Sequence, residues 1–240
     1  GPFDIGGVPG KPNFKVRDLV PPTPMERSMK LLEALDLLDG EARSASETAR
    51  DQFIKQARHL SMEAEVRDLF DLKQEPAEVH KHYGRHFMGQ SCLLARRLVE
   101  GGVGTVLVRD RGWDHHQGIA RAMTYGFPPK LEALNDAIPA LQADLERRGL
   151  LERTTVLLAS EFGRTPRLNP AGGRDHWSRA SSVLLFGAGI QKGVVIGRTD
   201  ARGEEPVEDP VSPADLFHTL LSAIGAPLDG PLQTPDGRPV

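Results

Sequence analysis

Between positions 25 and 100 the apolar residues recur every three to four positions. Met29, Leu32, Leu35 and Leu38 share one side of a 3.6-residue repeat, which predicts an amphipathic helix. Its start has Thr23 as N-cap, Pro24 at the first helical position and Glu26 three residues after the cap; Gly40 closes it. The same period predicts further helices over 45–58, 61–72, 75–83 and 87–100. After position 100 the rhythm shifts. "VGTVLVRD", "RTTVLLASE", "ASSVLLFGAG" and "GVVIGRTD" are β-branched runs that predict strands. Between the first two lies a long helical pattern over 128–150. The last element is a helix in "SPADLFHTLLSAIG", opened by Ser212 and Asp215 as a capping box with Pro213 at its first position.

A strand, a crossover helix and a second strand imply parallel pairing with helices on the sheet faces. The expected fold class is therefore α/β: a mostly parallel sheet flanked by helices, with an N-terminal helical segment. Three parts follow: an extended Gly/Pro-rich arm over 1–24, a helical segment over 25–100 packed on the sheet domain, and the α/β part over 101–240. The opening "GPFDIGGVPGKPNF" resembles the middle of a chain, so a C-terminal piece of a longer protein is expected.

Composition narrows the partners. Net charge is −3 with both signs interspersed, which leaves no basic patch for nucleic acid. Aromatic residues make up 5%, too few for a base-stacking platform. No apolar run reaches the ~18 residues that a membrane span needs. Cys92 is the single cysteine, which excludes an intrachain disulfide and Cys-based zinc motifs; its amphipathic setting predicts a core position. His59, His80, His82 and His86 lack acids at ligand spacing and read as surface or hydrogen-bonded histidines. Oligomeric state is not legible.

The chemistry-bearing residues cluster after two predicted strands. "GTVLV" runs into Asp110, Asp114, His115 and His116; "TTVLLAS" runs into Glu161, Arg164, Arg174, Asp175 and His176. Ligands in open α/β sheets bind beyond the carboxyl ends of strands. Parallel strands would bring both clusters to one edge. Carboxylates and imidazoles there suit a divalent cation, zinc foremost, with calcium or manganese as alternatives. Arg164 and Arg174 suit a phosphate or sulfate oxyanion. The same residues also admit a plain reading, in which Glu161 and Arg164 form an ion pair that staples the loop. Asp215 and His218 stand three apart on the last helix, but the capping box accounts for Asp215. No phosphate-binding loop and no nucleophile elbow is present.

The segments "YGRHFMGQSCLLARRLVEGGV", "GWDHH", "ASEFGRTPRLN", "GGRDHW", "GVVIGRTDARG" and "VSPADLFHTLL" closely resemble the DUF1501 family, of the alkaline phosphatase/sulfatase superfamily. The resemblance implies an alkaline-phosphatase-like fold with metals at the C-terminal edge of its sheet. By that likeness Asp114, His116 and His176 are metal ligands. Glu161 stands where the acid of an acid–His pair would be, but Phe162 follows it in place of His. The likeness further implies an upstream strand and helix carrying the nucleophile. It also implies export to the periplasm or cell surface. The expected function is a metal-dependent hydrolase of small-molecule or polysaccharide phosphate or sulfate esters. A non-catalytic binding protein with a degenerate site is the alternative.

Overall fold

In this computed structural model residues 5, 7–11, 14, 16, 64–226 and 228 are described. The helices predicted before position 60, with Thr23, Glu26 and His59, lie outside them. The central element is helix α3, Phe87–Glu100, which follows two shorter helices, α1 (Ala64–Phe70) and α2 (Ala77–His82). His86 caps α3: its Nδ1 accepts the Gly89 amide at 3.0 Å, satisfying one of the orphan donors of a helix start. Helix α4, Phe127–Arg147, lies against α3 and is preceded by a π-helical turn over Ala122–Gly126. Pro128 and Pro129 occupy its first turn, where a missing N–H costs nothing. Helix α5, Pro213–Ala223, starts with the Ser212–Asp215 capping box.

The core is the α3–α4 seam. Leu93, Leu94 and Leu98 meet Ala137, Ala140, Leu141 and Leu145, with Tyr83, Cys92, Leu150 and Leu151 completing it. Full burial of such a leucine contributes about 1.5–3 kcal/mol. Burial pushes the Cys92 thiol up to about 12, so the thiol is neutral and serves as a small apolar filler. Charges also enter this seam. Arg96, 1% exposed, contacts Glu75 at 2.8 Å, Glu100 at 2.6 Å and Asp144 at 3.0 Å. Asp144, fully buried, also receives Arg147, Arg148 and the Tyr83 hydroxyl. Burial opposes its ionisation, but Arg148, Tyr83, Arg96 and Arg147 outweigh burial and hold the carboxyl below its ordinary range.

Six short strands form three two-stranded pairs, all antiparallel among the described residues. β1 (Thr155–Leu158) pairs with β4 (Leu184–Gly187), β2 (Gly163–Arg164) with β3 (His176–Trp177), and β5 (Arg198–Thr199) with β6 (Pro206–Glu208). The molecule is thus mixed α and β, and the expected parallel pairing is not what the described strands do. The reason lies in "VGTVLVRD". Val106, Val108 and Asp110 turn inward and Leu107 and Arg109 outward, a two-residue alternation proper to a strand. Yet this segment joins no ladder with β1. β1 pairs instead with β4, to which it is linked without a helix, and such a link permits antiparallel pairing. Of "GVVIGRTD" only Arg198–Thr199 is strand, paired to the unpredicted β6.

Candidate metal centre

Period-two alternation sorts the residues of "GWDHH". Trp113 stacks on Phe127 at 5.2 Å between ring centres, and His115 meets the same ring edge-on at 4.9 Å. Asp114 and His116 therefore face the opposite way. Asp110 anchors the segment from behind: its carboxylate accepts the Trp113 indole N–H at 2.8 Å and the Lys130 ammonium at 2.7 and 2.9 Å.

The second half of the site is the β2–β3 pair. Its register sets Arg164 directly opposite His176, and opposed residues of an antiparallel pair share one face. The intervening loop closes on itself. Thr165 N–H donates to the Asp175 carbonyl at 2.9 Å, and Asp175 N–H donates to the Thr165 hydroxyl at 3.0 Å. Asn169 Oδ1 accepts the Ala171 and Gly173 amides.

Backbone contacts then join the two loops. Arg174 N–H donates to the His115 carbonyl at 2.9 Å, Gln117 and Gly172 form an antiparallel bridge, and Asn169 Nδ2 donates to the His116 carbonyl at 2.9 Å. Gly173 is required by this approach, since a Cβ there would lie 2.0 Å from the His116 carbonyl carbon. Gly163 is required for a similar reason: its Cβ would lie 1.8 Å from the Ala180 carbonyl oxygen.

Three ligand-type atoms converge where the loops meet. His116 Nε2 lies 3.0 Å from Asp114 Oδ1 and 3.1 Å from His176 Nε2, and His176 Nε2 lies 3.4 Å from Asp114 Oδ1. Bonds of about 2.0–2.2 Å from a tetrahedral zinc place neighbouring ligand atoms ~3.3 Å apart. The triangle fits that requirement and leaves a fourth position open. All three residues are exposed, so the site is entered directly from solvent. His116 is oriented from behind by Asp175, whose Oδ1 lies 2.8 Å from Nδ1. The carboxylate assigns the proton to Nδ1 and leaves the Nε2 lone pair for a cation, the usual arrangement of a metal-ligating histidine. Hydrogen bonds from His116 and Asn169 hold the Asp175 carboxyl below its ordinary range. Phe162 stacks on His176 with ring centres 4.0 Å apart and fixes the second imidazole.

Set beside known families, the chain matches the model described as a protein of unknown function, DUF1501, over residues 4–240. The chain belongs to the DUF1501 family. No curated protein and no solved structure matches it.

In this DUF1501 chain the other sequence-derived candidates have distinct placements. Arg164 reaches the cluster and donates to Asp114 Oδ1. That guanidinium, with His116 and His176 behind it, holds the Asp114 carboxyl below the ordinary range. Arg174 turns the other way, donating to the Thr165 and Pro166 carbonyls at 2.5 and 2.7 Å; it closes the loop. Glu161 is exposed and makes no hydrogen bond or ion pair among the described residues, so the Glu161–Arg164 staple does not form. The roles of Asp175 behind His116 and of Asn169 behind Asp175 are not marked in the sequence. The signal for Asp175 was its place beside His176, but facing loops must be joined in space before an Asp and a His 59 positions apart can be paired. Phe162 stood out in the sequence only as a missing histidine.

Proposed function

We propose that this chain carries a divalent-metal centre, best suited to zinc, that serves the hydrolysis of phosphate or sulfate esters. The observation that carries the reading is the Asp114–His116–His176 triangle, spaced for one tetrahedral cation with a position open to water or substrate. Arg164 at its rim adds the planar, permanently charged fork that suits a tetrahedral oxyanion. A bound divalent ion would supply an activated water and charge neutralisation. The chain's own residues divide the remaining work: Asp175 orients His116, Phe162 orients His176, and Arg164 holds the oxyanion. Calcium and manganese are alternatives to zinc, though two imidazoles favour the softer ion. Action outside the cytoplasm belongs to the same proposal by family likeness.

Metal content tests it. Purified protein loaded with zinc and desalted is expected to retain about one equivalent, and His176→Ala to retain almost none. Equal, near-zero content in both ends the reading. A second reading, binding of a sulfated polysaccharide without turnover, is favoured by Phe162 in the place of a ligand histidine. Turnover of aryl phosphates or aryl sulfates with added zinc, manganese or calcium separates the two. Metal-dependent release of the phenol eliminates the binding-only version.

A further inference from the structure

Asp114 Oδ1 is shared. It accepts Arg164 Nη1 and also faces the His116 and His176 Nε2 atoms at 3.0 and 3.4 Å. A carboxylate oxygen has two lone pairs, and a metal ion would need one of them. The guanidinium therefore sits where a cation would otherwise compensate the Asp114 charge, and a divalent ion and an arginine so close together repel. In the pose that reaches Asp114 the Arg164 guanidinium carbon lies 5.4 Å from the centre of the Phe162 ring, a contact that does not depend on Asp114 and keeps the guanidinium at the site when that carboxylate is taken by a cation. Phe162 is also the ring that stacks on His176, so a guanidinium held there stays beside the centre with its remaining donors uncommitted.

We propose that Arg164 is a built-in competitor for the metal position: it occupies Asp114 in the metal-free chain and, displaced by a divalent ion, turns its fork to an oxyanion at the open coordination position. This inference rests on the metal-centre reading. Two consequences follow. Removing Arg164 strengthens metal binding, because the competitor is gone. An oxyanion strengthens metal binding in the native protein only, because it draws Arg164 away from Asp114. Linkage makes the second effect reciprocal, so bound metal tightens the oxyanion by the same factor.

The experiment is a zinc titration against a chromophoric chelator, with and without sulfate, on the native chain, Arg164→Met, Arg164→Lys and Asp114→Asn. Far-ultraviolet circular dichroism checks that each is folded. Zinc is expected to bind Arg164→Met roughly three- to tenfold more tightly than the native chain. Sulfate is expected to tighten zinc several-fold in the native chain and to leave Arg164→Met unchanged. Arg164→Lys keeps a cation without the fork and is expected to fall between them on the sulfate effect. If the native chain binds zinc through Asp114 but Arg164→Met binds equally or more weakly, the competition is overturned and the metal centre stands. The same holds if sulfate acts alike on both. If neither binds zinc, or Asp114→Asn binds as well as the native chain, the centre itself falls and takes the inference with it.

Discussion

At the scale of single residues the site depends on two side chains that touch no ligand directly. Asp175 fixes the tautomer of His116, and Asn169 fixes Asp175 with a 3.0 Å hydrogen bond. Outer partners of this type typically tune metal affinity by 10–100-fold. Asp175→Asn is accordingly expected to weaken zinc binding by about tenfold or more, read by the same chelator titration, while the melting temperature stays close to that of the native chain. Gly173 sets a steric condition. In Gly173→Ala the new methyl meets the His116 backbone, the two loops separate, and zinc binding is expected to vanish with the α3–α4 core intact by circular dichroism. Asp114, His116 and His176 stand in the sequence among the acids and imidazoles of the two polar loops that follow apolar runs, and the family likeness is what singles them out as ligands. Arg164 and Arg174 were not distinguishable there. The β2–β3 register sets Arg164 at the cluster, and loop hydrogen bonds carry Arg174 to the Thr165 and Pro166 carbonyls; a single sequence displays neither.

At the scale of elements the helices were the legible part. The predicted 87–100 matches α3 at both ends, and 128–150 matches α4 within three residues, because a helix is specified by neighbours three and four positions apart. Sheet partners are chosen over distance, so the "VGTVLVRD" alternation was right for an extended chain but silent on its partner. The charged layer between α3 and α4 also left a faint mark: Asp144 falls on the stripe of Ala137, Ala140, Leu141 and Leu145, where a solvent-facing acid has no place. Breaking a buried ion pair on one side costs about 3–5 kcal/mol. Arg96→Met is expected to lower stability by that order in urea unfolding, and an unchanged midpoint would refute the role given to the layer. Stability should also depend on acid. Glu75 and Asp144 both titrate below their ordinary values of 4.5 and 3.8 in the folded chain. Their contribution is therefore complete above those unfolded values and is lost as pH falls below about 4 toward the depressed folded values. Native-chain unfolding followed from pH 6 to pH 2 should show this decline, and Asp144→Asn should flatten it.

At the scale of the whole molecule burial is uneven. Among the described residues after Leu151, Gly173 alone is buried, and none of α5 is. Leu157, Leu158, Val195, Ile196 and Phe217 are all exposed to some degree, Val195 at 96%. Local stability follows local burial. Amide hydrogen exchange is expected to be slowest in α3 and α4 and faster by orders of magnitude in β5, β6 and α5; uniform protection would contradict this. The Asp114–His116–His176 cluster is thus assembled at the edge of the well-packed part, held mainly by loop hydrogen bonds.

The facing of Arg164 and His176 across β2 and β3 has an arithmetic consequence for how this chain can vary. Side chains on a strand alternate, so slipping one step inverts every one of them. Losing a single residue between 165 and 175 would present Trp177 where an imidazole belongs and send His176 to the back. Natural drift in that stretch should therefore keep its length or be matched by a compensating bulge, and an engineered one-residue deletion that spares Asn169, Gly173 and Asp175 is expected to abolish zinc uptake.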